Sequence, residues 1–249
     1  MVTKEAFVIR NGILAKYMGK DPEVTIPDGV TYIGALAFQN CPGVVRIAIP
    51  DSVTAIGRGA FSGCTGLTDI TIPGGVTEIG SCTFSGCVSL KRITIPDSVT
   101  RIDASAFRGC VGLADDAGFV VVKGVLYGYW GKDTDVTLPY GVTEIAEGAF
   151  ARCEQITSIT LPKQITRIPY GVFQGCKGLG EVVFLGAITD IEMCAFRGCE
   201  NLTSVTLPHS LTYIGDDAFS GCAGLTIHAT VGSYAEAYAK ENKIPFAPS

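Results

Sequence analysis

The chain has 249 residues, a net charge of −5, only 17% charged side chains and a mean hydropathy of +0.35. The acidic balance, without any Lys/Arg-rich block, argues against a nucleic-acid partner, whose phosphates demand clustered basic side chains. The most apolar stretch, GFVVVKGVLYGYWG at 118–131, contains Lys123 and several glycines, and falls short of the ~18 apolar residues of a membrane span.

The N-terminal MVTKEAF has no apolar core of the kind a secretion leader carries. A mature or excised portion of a secreted protein reads the same way, so a cytoplasmic home does not follow. From residue 7 the chain is repetitive. FVIRNGILAKYMGKDPEVTIP (7–27) opens a first block, and four Phe–Cys pairs follow at Phe38/Cys41, Phe61/Cys64, Phe84/Cys87 and Phe107/Cys110, every 23 residues. A related opening, FVVVKGVLYGYWGKDTDVTLP (119–139), starts a second block. Its pairs are Phe150/Cys153, Phe173/Cys176, Phe196/Cys199 and Phe219/Cys222, each 112 residues after its counterpart. The odd cysteines Cys82 and Cys194 keep the same offset. The chain is thus read as a single solenoid domain over 1–249. It has block one at about 7–118, block two at about 119–230 and a C-terminal cap at 231–249.

One unit explains the period. In LTDITIP (67–73) the alternation sends Leu67, Ile70 and Ile72 inward and Asp69 and Thr71 outward, as a short strand does. VTEI (76–79) predicts a second strand with Val76 and Ile79 inward. GSCTFSGC predicts a corner through a short helical or 3₁₀ turn. One such coil cannot bury its apolar side alone, whereas stacked coils share a core. Phe38 through Phe219 then form a spine and Cys41 through Cys222 a ladder of small buried side chains. The tail GSYAEAYAKENKIPF (232–246) predicts a capping helix, with Ser233 and Glu236 spaced as a capping box.

The same regularity weakens a chemical reading. The cysteines do not converge in the paired spacing of a zinc site, and regular stacking gives no cysteine a unique disulfide partner, so free buried thiols are expected. No GxSxG occurs and the two histidines, His209 and His228, leave little for acid–base work. No catalytic, metal or cofactor site is expected. Candidate binding residues lie on the outward strand positions, where Arg46, Asp69 and Arg92 alternate in sign, and in LYGYWG (126–131), where Tyr127 and Trp130 are additions relative to LAKYMG (14–19). Tyr129, which matches Tyr17, reads as structural. The bland alternative for the charges is a solvated ladder of opposite signs on neighbouring coils.

The motif IPxxVTxIGxxAFxGCxxLxx resembles the BspA-like branch of the leucine-rich repeat proteins, over about residues 7–246. The departures are few: Leu185 replaces the repeat proline, Asn40 and Arg152 replace the corner glycine, and Pro169 replaces another glycine. The resemblance implies a right-handed leucine-rich repeat solenoid with two strands per coil and a C-terminal helix. It also implies an extracellular or cell-surface protein without catalysis or cofactor, which binds a protein or glycan on a cell surface or host matrix. The alternative is a passive spacer within a larger surface protein.

Overall fold

The computed structural model describes residues 6–249; residues 1–5, part of the segment read for a leader, lie outside the described residues. The chain divides into two compact units, one ending at Asp116 and the next beginning at Ala117. Both are β-solenoid coils of about 23 residues, named here one to four by Phe38, Phe61, Phe84 and Phe107 and five to eight by Phe150, Phe173, Phe196 and Phe219.

Each unit starts with an antiparallel hairpin. In the first, Phe7–Arg10 pairs with Ile13–Tyr17 around Asn11-Gly12, both with positive φ (48° and 76°), the combination a two-residue primed turn requires. In the second, Phe119–Val122 pairs with Val125–Tyr129 around Lys123-Gly124 (47° and 79°). Parallel pairing then carries the fold from coil to coil. The first strands Glu23–Thr25, Arg46–Ala48, Asp69–Thr71 and Arg92–Thr94 make one sheet. In the second unit Asp135–Thr137, Ser158–Leu161 and Glu181–Phe184 make another. The second strands are two-residue segments, such as Tyr32–Ile33 and Ala55–Ile56, in register with the hairpin.

The inward residues read from the sequence are buried: Leu67, Ile70, Ile72, Val76 and Ile79 are all at most 4% exposed. The phenylalanines stack with ring centroids 5.4–5.5 Å apart from Phe38 to Phe107 and 5.2–5.4 Å apart from Phe150 to Phe219. Tyr17 and Tyr129 extend the spine to the hairpins, at 5.0 Å from Phe38 and 5.6 Å from Phe150.

The corners differ from a helical expectation. Val111–Leu113 is a 3₁₀ segment, but the corner of coil two is a run of single turns. Ala60, Ser62 and Cys64 N–H bond three residues back, while Gly59, Phe61 and Gly63 N–H bond forward to carbonyls of coil three at 2.8–3.0 Å. A left-handed residue at Gly59 and another at Gly63 (φ 60° and 72°) break the helical run and produce this alternation. Asn40 and Arg152 hold the second of these conformations (55° and 64°) where other coils use glycine.

The cap is the helix Tyr234–Glu241, which buries Ala235 and Ala239. Ser233 Oγ accepts from the Glu236 N–H at 3.3 Å. The Glu236 carboxylate accepts from Gly232 N–H, one residue before the N-cap, so the box is shifted from the usual reciprocal form. Beyond the helix, Phe246–Pro248 adds a further parallel strand to Thr226–Ala229, and its terminal proline is suited to a sheet edge.

Candidate ligand-binding faces

The outward positions of block one form an ion-pair ladder. Parallel register sets Glu23, Arg46, Asp69 and Arg92 side by side on successive coils. Arg92 binds Asp69 at 2.8 Å, while Arg46 lies 3.9 Å from Asp69 and 4.0 Å from Glu23. The Thr68 hydroxyl, donating at 2.8 Å, and then Arg92 hold the Asp69 carboxyl below its ordinary range. Arg46, Asp69 and Arg92 are therefore brought together as one array of mutually paired charges. A pairing of the same kind joins Arg101 to Glu78 on the second strands.

In block two, Asp135, Ser158, Glu181 and Ser204 occupy the ladder positions, with Asp135, Glu181 and Ser204 exposed. The serines are too short to bridge the carboxylates on neighbouring coils. Trp130 is 41% exposed, its indole lying across Gly128 in the space a Cβ would take; block one has Lys16 at that glycine position and Met18 in place of the tryptophan. Tyr127 is only 5% exposed. As a correction to the sequence reading, its ring is buried and is not offered to a partner, although the equivalent Ala15 of block one is exposed.

The cysteine ladder has a role that spacing did not reveal. Six of the eight ladder thiols donate to the carbonyl of the phenylalanine one coil back, among them Cys64 to Phe38, Cys87 to Phe61, Cys110 to Phe84 and Cys176 to Phe150, at 3.0–3.2 Å, whereas Cys41 meets the Gln39 carbonyl at 3.9 Å and Cys153 that of Tyr129 at 3.7 Å. Phe61 shows the logic, since its N–H bonds forward to Thr83 and its carbonyl receives the Cys87 thiol. That carbonyl already accepts from the Cys64 N–H at 3.1 Å, so the thiol is a second donor to an oxygen with two lone pairs, and cysteine is a small residue able to supply it within the core. Burial pushes the Cys64, Cys87, Cys110 and Cys176 thiols up to about 12. The ten cysteines are free thiols. The odd cysteines stand elsewhere, at the left-handed corner position, with φ of 56° at Cys82 and 60° at Cys194.

Among the described residues no group of three His, Cys, Asp or Glu side chains converges as metal ligands would, and no helix is long and apolar enough to cross a membrane. The model of the BspA-type leucine-rich repeat region matches residues 18–114 and 128–236, in 6 copies. The chain belongs to the BspA-type leucine-rich repeat family. The hairpins that open the two blocks lie largely outside the matched residues.

No curated protein matches the chain. Among similar solved structures is the leucine-rich repeat protein TpLRR of T. pallidum, 26% identical, with 99% of this chain and 97% of that chain covered and a TM-score of 0.46. A leucine-rich cell surface protein of Faecalibacterium prausnitzii is 25% identical, with 96% of both chains covered and a TM-score of 0.47. The pneumococcal vaccine antigen PcpA is 20% identical, with 84% of this chain and 62% of that chain covered and a TM-score of 0.56. The last likeness agrees with the repeat solenoid as the fold of a BspA-type chain.

Proposed function

We propose that this BspA-type chain is a non-catalytic extracellular recognition module that binds a protein or glycan of a cell surface or host matrix. The observation that carries the reading is the Glu23–Arg46–Asp69–Arg92 array. Long charged side chains ordinarily lose rotamer freedom when they bind, and here the close Arg92–Asp69 pair already restricts two of them. A preordered polar surface binds at a smaller entropic cost than a mobile one. Family membership and the strand faces presented by stacked coils support the same reading.

The same pairing also favours the second reading, a spacer whose charges only satisfy one another. A binding screen against fibronectin, fibrinogen, collagen, mucin and a glycan array separates the two. Arg46→Glu/Arg92→Glu and Trp130→Ala serve as matched variants. A saturable hit weakened by the charge reversal, with unchanged melting, supports recognition through the ladder. A hit weakened only by Trp130→Ala moves the site to block two. Silence across the panel leaves the spacer.

A further inference from the structure

The second strands of block one do not form a continuous ladder. Thr54 and Gly57 N–H reach back one coil to the Thr31 and Ile33 carbonyls, at 2.9 and 2.8 Å. Thr100 and Asp103 N–H do the same to Thr77 and Ile79, at 3.0 and 2.9 Å. The step between coils two and three lacks both links. Among the described residues, Thr77 and Gly80 N–H make no such bond to Thr54 and Ile56, and Ala55–Ile56 and Glu78–Ile79 fall in separate sheets.

A hydroxyl present on the neighbouring coils is also absent at this step. Ser52 and Ser98 pin the turns of coils two and four to the coil before, donating to the Val30 and Val76 carbonyls at 2.7 and 2.8 Å. Coil three has Gly75 at this position, where a Cβ would stand 3.3 Å from the Val53 carbonyl oxygen. Nothing there fastens its turn to coil two. Side chains are also small at the same step. Ala55 holds the outward position between Tyr32 and Glu78, and a Cβ on Gly80 would meet nothing.

The result is a cleft of about 420 Å³, whose lining includes Tyr32, Ala55, Arg58, Glu78, Gly80 and Ser81. Its size falls in the ordinary range of ligand sites, about 300–1,000 Å³. The Tyr32 ring reaches over Gly57 toward the next coil and supplies an aromatic wall. Glu78 is tethered by Arg101, and Arg58 makes no ion pair among the described residues. Where the ladder opens, amide donors of coil three face carbonyl acceptors of coil two.

We propose that this cleft binds one glycosyl unit of a glycan. A sugar hydroxyl both donates and accepts, so neighbouring hydroxyls can satisfy the open amides and carbonyls together. The apolar C–H face of a pyranose suits the tyrosine ring. A purely apolar ligand would leave the open peptide groups dry and unpaired. The site is separate from the Arg46/Arg92 ladder, so its failure leaves protein recognition by that ladder standing.

The test titrates the isotope-labelled full chain with methyl glycosides of glucose, galactose, mannose, N-acetylglucosamine and fucose. Amide shifts and hydrogen exchange at Thr77 and Gly80 provide the readout. At least one glycoside should move both signals, saturate and slow their exchange. Gly75→Ser restores the missing hydroxyl and should raise the melting temperature while weakening binding about tenfold or more, or 1.4 kcal/mol at tenfold. Ala55→Trp, at an exposed strand position that tolerates aromatics, should block the cleft without lowering stability. The proposal is overturned if no glycoside moves these amides, if binding leaves them unmoved, or if both filled variants bind as well as the parent. It is equally overturned if a peptide, rather than any glycoside, occupies the cleft.

Discussion

On equivalent cores, the outward residues of the first strands run Glu23, Arg46, Asp69, Arg92 in block one and Asp135, Ser158, Glu181, Ser204 in block two. The first series pairs along its length; the second leaves carboxylates separated by serines. The second strands differ as well. Ala55 leaves a gap in block one, and its counterpart in block two is Arg167, which pairs with Glu192. Both blocks interrupt the second-strand ladder, but at different steps. In block two the break falls between Glu144–Ile145 and Arg167–Ile168, beside Pro169, which has no N–H to give. A stacked repeat therefore fixes what lies between coils and leaves the outer row free to diverge. Binding differences between the blocks belong to that row.

The largest effect should come from breaking what the blocks share. Phe84→Ala and its counterpart Phe196→Ala remove fully buried rings stacked on both sides. Each should cost about 3–5 kcal/mol, as large-to-small core substitutions do. The two costs should agree to within about 1 kcal/mol, inside the usual spread of such measurements. Urea unfolding of both variants gives the comparison. A clear inequality would show that the blocks do not share a packing scheme despite their matching sequence.

Alkali should act next, through the thiol ladder. Cys64, Cys87, Cys110 and Cys176 stand at about 12 in the fold, above an ordinary value of 9.0. A group raised on folding keeps its proton after the unfolded chain has lost it. The stability it contributes is complete below about pH 9 and falls as pH rises toward about 12. The slope is about 1.4 kcal/mol per pH unit for each fully differential thiol. Melting curves between pH 8 and 11 should show this decline, and Cys64→Ala/Cys87→Ala/Cys110→Ala should flatten it. An unchanged slope would mean that tyrosines or lysines control alkaline unfolding.

These outcomes bear on what one sequence reveals. The spine was legible because a residue returning every 23 positions must occupy the same site on every coil, and only an apolar corner suits phenylalanine eight times. The inward isoleucines followed from alternation, and the capping helix from Ser233 and its alanine-rich continuation. The reason for cysteine was not legible. It depends on a carbonyl one coil away, and composition treats the residue simply as a small hydrophobe. Residue type made Tyr127 a binding candidate, but an added aromatic does not itself tell that its position is buried in block two while the equivalent Ala15 is exposed in block one. The cleft was hidden because no single residue announces it: Gly75 lacks the hydroxyl of Ser52 and Ser98, but Ala187 lacks it too and its coil pairs normally with the one before. The final strand Phe246–Pro248 was missed because three residues ending in proline carry little strand signal.

The smallest effect on stability, and the sharpest contrast between blocks, belongs to Cys82 and Cys194. They are equivalent in sequence and share a left-handed backbone, yet Cys82 is partly exposed and Cys194 is 4% exposed. The hydroxyls of Ser105 and Ser81, 3.5 and 3.6 Å from the Cys82 sulfur, hold its thiol below the ordinary value. A lower thiol has more thiolate at neutral pH, and the thiolate is the reacting form. Brief treatment with iodoacetamide at pH 7 should therefore modify Cys82 before Cys194 and before the buried ladder thiols Cys64, Cys87, Cys110, Cys153, Cys176 and Cys199, while the partly buried Cys41 and Cys222 lack that protection. Peptide mapping by mass spectrometry reads the order directly. Ser105→Ala should slow the reaction at Cys82 by removing the stronger hydroxyl, with little change in melting. Equal labelling of Cys194 would mean that its corner opens in solution and that the two odd cysteines are equivalent in exposure as well as in sequence.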